Sequence, residues 1–135
     1  MNWMVLPYRR YAQFSGRSRP KEYWLFALFL MIAFLAAIFL DGVFGLGGSG
    51  HYVEHWPLGY SVAFVDRGGP FTLILCLGSF IPGLAVAVRR LHDSNRSGWW
   101  LLIGIVPLIG SLWLFILLIW AGTRGSNRFG PDPLA

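Results

Sequence analysis

Arg89-Arg90-Leu91-His92-Asp93-Ser94-Asn95-Arg96-Ser97-Gly98-Trp99-Trp100 is the most polar run in the second half of the chain, and apolar stretches press on it from both sides. Phe71 to Val88 before it and Trp99 to Thr123 after it carry no charged side chain. A basic turn held between two such stretches belongs at a membrane surface, where the cations stay with phosphate and the apolar flanks enter hydrocarbon. Composition agrees. The 135 residues are 56% hydrophobic and only 13% charged, with a mean hydropathy of +0.57, against roughly a quarter charged in ordinary soluble domains. So few charges cannot cover that much apolar surface in water. The expected fold is an all-α integral membrane protein, one polytopic domain over residues 1–135. Its three hydrophobic membrane helices fall at about 23–41, 71–88 and 99–123.

The net charge of +5 does not indicate nucleic acid, which needs a basic face on a soluble body. Here the cations gather at the ends of apolar segments, the positive-inside pattern, so the N-terminus and the central turn are expected to be cytoplasmic. Cys76, the single cysteine, has no intrachain partner and reads as an apolar filler.

Upstream, Trp3, Met4, Pro7, Tyr8, Tyr11 and Phe14 recur at three- to four-residue spacing around Arg9 and Arg10. That pattern predicts a basic, aromatic segment lying in the headgroup layer. Pro20 suits the first turn of a helix, and Glu22 there meets the positive end of its dipole. The first membrane helix ends near Asp41, which counting along the helix places close to the far interface, an acid emerging into water. Five glycines between Gly42 and Gly50 then predict a flexible loop as far as Pro70. Within it His51-Tyr52-Val53-Glu54-His55 matches the H-x-x-E-H metal pattern. The flanking glycines and Trp56-Pro57 argue against the helix that pattern needs, so no metal and no cofactor are expected.

In the second membrane helix Ser79 and Gly83 have the small-xxx-small spacing that permits close helix approach, and Pro82 predicts a kink. The third apolar region is longer than one crossing needs and is interrupted at Pro107 and Gly110. A kinked, tilted span is the expected form. The alternative is a re-entrant pair, which would leave Arg67 as the one cation outside but must bury its tip in protein. The tail after Gly122 is turn chemistry and reads as a compact cap.

Three strings, Phe14-Ser15-Gly16-Arg17-Ser18-Arg19-Pro20-Lys21-Glu22-Tyr23-Trp24, the central stretch quoted first, and Asn127-Arg128-Phe129-Gly130-Pro131-Asp132-Pro133, frame nearly the whole chain. In that order they resemble the domain of unknown function 805 family, small bacterial inner-membrane proteins of the YhaH type. The resemblance implies a multi-pass protein of the bacterial inner (plasma) membrane and supplies no reaction. Pro20 stands where the family usually has Lys or Arg.

The candidate phosphate, lipid or interaction residues are Arg17, Arg19, Glu22, Arg89, Arg90, His92, Asp93, Arg96, Trp99, Asn127 and Arg128. Three arginines around one turn set topology and snorkel. With Arg17, Arg19 and Trp99 they could also bind the phosphate of an anionic lipid. Asp93 and Glu22 are placed to pair with them and fasten the N-terminal segment to the central turn. His92, a lone histidine, lacks further metal ligands. No nucleophile–base pair stands at workable spacing, so no enzyme is expected. The spans hold no mid-membrane ionisable group, which favours a structural or interaction protein over a small oligomeric transporter or channel. Membrane lipids, a second copy or another membrane protein are the expected partners.

Overall fold

Two helices of 24 residues carry two of the chain's three long apolar stretches. The computed structural model describes residues 3–56, 59–66 and 68–133, over 49–66 the backbone. Its order is α1 (Leu6–Arg9), α2 (Pro20–Val43), β1 (Ser49–Trp56), β2 (Gly59–Asp66), α3 (Pro70–Asp93), a 3₁₀ helix (Gly98–Ile105) and α4 (Ile109–Ile119). At about 1.5 Å per residue α2 and α3 each rise about 36 Å, more than the ~30 Å of a hydrocarbon core. By length and composition both are able to cross a membrane. They leave Met31, Leu35, Phe39, Ile74, Leu77 and Phe80 more than half exposed, a surface suited to lipid and not to water. Contacts divide the chain into two compact units, Met1–Leu30 with Ser79–Ala135, and Met31–Gly78. The long helices contribute to both.

In the unit Met31–Gly78, α2 ends where Gly45 takes a left-handed conformation (φ 63°) and the Leu46 amide closes on the Asp41 carbonyl at 2.8 Å. Asp41 corrects the expectation of an acid in water. It is 2% exposed and its carboxylate takes the amides of Gly69, Phe71 and Thr72 at 3.0, 3.1 and 2.9 Å, and the Thr72 hydroxyl at 2.7 Å. The start of α3 offers unsatisfied amides and a positive dipole end, and Pro70 has no amide of its own. Gly69 must be glycine, because a Cβ there would lie 2.2 Å from Asp41 Oδ1.

The expected flexible loop contains an antiparallel hairpin instead, β1 on β2, paired from Ser49 with Asp66 to Trp56 with Gly59. Tyr52, Val53, Trp56, Tyr60, Val62, Phe64 and Val65 are aromatic or β-branched and favour strands, a signal that the glycines before them obscure. In a strand the backbone positions of His51 and His55 stand about 13 Å apart, not one turn apart as the metal motif requires. The side chains of His51, Glu54 and His55, and Arg67 altogether, lie outside the described residues.

In the other unit α1 lies against protein. Leu6 and Pro7 are buried, Tyr8 packs edge-on to Phe26 and Phe29, and its hydroxyl meets Ser79 Oγ at 2.5 Å. Ser79 is thus a contact point of α3. Gly83 is not, since a Cβ there would meet nothing within 4 Å. Pro82 is buried inside α3 without ending it, and α3 runs on past Val88 through Asp93.

The third apolar region does not form the expected kinked span. It breaks at Val106-Pro107-Leu108 into the 3₁₀ arm and α4, which pack on each other. Leu108 turns the chain at φ 61°, a conformation strained for a residue with a Cβ. Gly110 allows the return, because a Cβ there would lie 1.8 Å from the Ile103 carbonyl oxygen of the facing arm. Leu117 and Leu118 of α4 pack with Leu91 of α3, with Tyr23 and Trp100 against them. The segment folds back on itself, the shape that the re-entrant alternative needs: Trp100, near the start of the 3₁₀ arm, packs against Leu117 and Leu118 near the end of α4.

Candidate functional site: a buried arginine–acid cap

The polar motifs meet in one cluster built by four separate segments. Arg17 precedes α2, Glu22 lies in its first turn, Arg89, Arg90 and Asp93 sit in the last turns of α3, and the tail crosses above them. Asp93 is the centre. Its Oδ1 takes the Arg17 Nε at 2.9 Å and Nη2 at 2.8 Å, and its Oδ2 takes Arg90 Nη1 at 2.5 Å. Arg89 Nη1 pairs with Glu22 Oε1 at 2.9 Å. All five side chains are 3% exposed or less. Ions so buried need partners on every side, since the desolvation cost runs to several kcal/mol for each.

Backbone carbonyls supply the rest. Arg90 donates through Nε to Leu118 O at 3.1 Å and through Nη2 to Trp120 O. α4 has no basic residue in its own last turn, so the carbonyls orphaned at its end take a guanidinium from α3. Arg17 donates to the Thr123 and Gly125 carbonyls, and the Ser18 amide donates to Arg89 O at 3.1 Å. The Thr123 amide and hydroxyl donate to Asp93 O at 2.8 and 2.9 Å. Gly122 leaves room for this closure, because a Cβ there would lie 1.9 Å from Asp93 Oδ2.

The outer layer uses the remaining motif residues. His92 stacks on Phe129 with centroids 3.9 Å apart and rings 4° from parallel, and its Nδ1 donates to Gly16 O at 3.1 Å. The Asn127 amide donates to His92 O and Thr123 Oγ1, both at 2.9 Å. Arg128 lies 4.7 Å over the Phe129 ring and donates to Asn95 O. Arg96 lies 4.5 Å over the Trp100 ring.

This geometry corrects the reading of Arg89, Arg90 and Arg17 as lipid-phosphate ligands. Their guanidiniums are buried and engaged by acids and carbonyls of the chain itself. Trp99 is 78% exposed and does not join Arg17 and Arg19, which line a different cavity. Ser97 begins the 3₁₀ arm without a side-chain capping bond. Gly122 and Thr123 were not legible as parts of the cluster; the one signal was that an apolar helix without a cation in its last turn must find a donor elsewhere.

Two membrane-length helices, a folded-back third segment and a buried ionic cap define a helical protein of membrane composition whose motif residues hold its own segments together. The chain belongs to the family described as protein of unknown function DUF805, whose profile matches residues 11–131. It is 38% identical over 133 residues to inner membrane protein YhaH of Escherichia coli (strain K12), covering 98% of this chain and 97% of that one. It is likewise 38% identical over 133 residues to inner membrane protein YhaI of the same strain, covering 98% and 96%. No solved structure matches.

Proposed function

We propose that the protein is a non-enzymatic inner-membrane interaction protein that holds an anionic phospholipid at the membrane edge of its cap. α2 and α3 cross the bilayer, so the N-terminal segment and the central turn share one side, the cytoplasmic one by their cations. The tail joins them there. Arg17, Glu22, Arg89, Arg90 and Asp93 are committed to one another, which leaves no acid–base or nucleophile pair in the cap.

One observation carries the lipid reading. A groove of about 570 Å³ between the central turn and α4 is lined by Arg96, Ser94, Trp113, Ile116, Trp120 and Thr123, among others. Its lining includes Arg96, which stacks on Trp100 and forms no ion pair among the described residues, and Ser94, whose buried Oγ has no hydrogen-bond partner. Its apolar end is the tryptophan-bearing face of α4. Phosphate at one end and a glycerol-linked acyl chain at the other match that lining, and tryptophan favours that depth.

In nanodiscs of mixed phosphatidylglycerol and phosphatidylethanolamine, the parent should retain phosphatidylglycerol selectively through native mass spectrometry. Arg96→Gln should reduce that selectivity about tenfold, and Arg96→Lys, which keeps charge without the fork, by less. Equal retention in parent and Arg96→Gln would remove the groove as a lipid site.

A further inference from the structure

A second cavity, of about 340 Å³, lies on the other side of the cap, where the N-terminal segment meets the start of α2 and the end of the tail. Arg10, Gln13, Ser15, Arg17, Arg19 and Glu22 line it. Its charges are unevenly compensated. Arg17 is spent on Asp93 and Glu22 on Arg89, while Asp132, which also lines the cavity from the tail, takes the Gly125 amide at 2.8 Å among its interactions. Arg10 and Arg19 have no acidic partner among the described residues; Arg19 only stacks, 5.6 Å from the Trp3 centroid. Behind the wall, Arg89 Nη2 is buried with no hydrogen-bond partner, so the Glu22 carboxylate does not satisfy even the cation it pairs with. The first turn of α2 begins at Pro20, adding the positive end of a 24-residue helix beside Arg19.

Two guanidinium forks, a side-chain amide and a hydroxyl offer more donors than a carboxylate accepts and suit a tetrahedral oxyanion with up to two negative charges. We propose that the cavity binds a phosphate group, as a free phosphate or as the phosphodiester of a lipid headgroup, between Arg10 and Arg19 with Gln13 and Ser15 completing the donor set. This site is separate from the Arg96 groove, and neither depends on the other.

The full-length protein is titrated with inorganic phosphate in chloride buffer at low ionic strength, in an uncharged detergent, by calorimetry. In parallel, phosphatidylglycerol retention is measured in nanodiscs. The variants are Arg10→Gln/Arg19→Gln, the corresponding double lysine variant, and Arg9→Gln as an exposed cation outside the cavity. The parent should bind at least one probe, the double glutamine variant about tenfold or more weakly, and the double lysine variant in between. Arg9→Gln should leave phosphate binding unchanged. Binding of inorganic phosphate identifies a free phosphate as the ligand. Loss of phosphatidylglycerol alone identifies a headgroup. If the parent binds neither probe, or the folded double glutamine variant binds both as the parent does, the proposal is wrong; should that variant not fold, an undiminished lysine variant overturns it equally.

Discussion

Asp93→Ala should destabilise the protein by about 3–5 kcal/mol, the loss that follows when one partner is removed from a buried ionic group. One carboxylate holds Arg17 with Oδ1 and Arg90 with Oδ2, so its removal leaves two desolvated guanidiniums facing each other. Arg17 ties down the tail at Thr123 and Gly125, and Arg90 ties down the end of α4. The segments should therefore loosen together. Asp93→Asn keeps the volume and one acceptor but not the charge, and should fall between parent and alanine. Arg124→Gln, an exposed cation in the same tail, should change stability by less than about 0.5 kcal/mol. Thermal unfolding of the three variants in one detergent decides this. If Asp93→Ala unfolds with Arg124→Gln, the cap does not hold the fold.

Gly110→Ala should cost about 2–3 kcal/mol, the upper range for overpacking, because what it meets is backbone and cannot rotate away. The added methyl would lie 1.8 Å from the Ile103 carbonyl oxygen and 2.8 Å from Val106 Cβ. The 3₁₀ arm and α4 must then separate, which pulls Leu117 and Leu118 off Leu91. Gly83→Ala on α3 is the matched control, with nothing inside 4 Å of its new methyl, and should be neutral or slightly stabilising through helix propensity. Equal melting temperatures for the two variants would mean that the arms do not approach closely at Gly110.

How far the sequence reaches differs from element to element. α2 and α3 are legible from uninterrupted apolar runs, since length against hydrocarbon thickness needs no tertiary information. The pairing of Glu22 and Asp93 with arginines is legible too, because few acids stand beside these cations in a chain so poor in charge. Burial is not. An arginine at a helix end snorkels in one fold and is walled in by a tail in another, and the local pattern is the same, so the sequence leaves Arg89 and Arg90 open to snorkelling and to phosphate alike. The third region shows its break at Pro107 and Gly110 but not its form. What selects the return is the reach of Arg90 on α3 to the Leu118 and Trp120 carbonyls, contacts across about thirty residues that no local period encodes. Counting rise along one helix puts Asp41 in water, because that count carries no knowledge of the amides at the start of the next.

Cysteine accessibility in intact cells and in inverted membranes tests most directly whether N-terminal segment, central turn and tail form one cap. Single cysteines replace Ser15, Ser97 and Ser126 in a Cys76→Ala background, with Leu46→Cys, beyond the end of α2, as the reference for the other face. The cap requires Ser15, Ser97 and Ser126 to react from one and the same side, because Arg17 cannot hold Asp93 and the Thr123 and Gly125 carbonyls across a bilayer; the proposed topology makes that side cytoplasmic and has Leu46→Cys react from the opposite one. Labelling of Ser126→Cys from the same side as Leu46→Cys would mean that the third region crosses the membrane, and would contradict the returned α4 and the cap together.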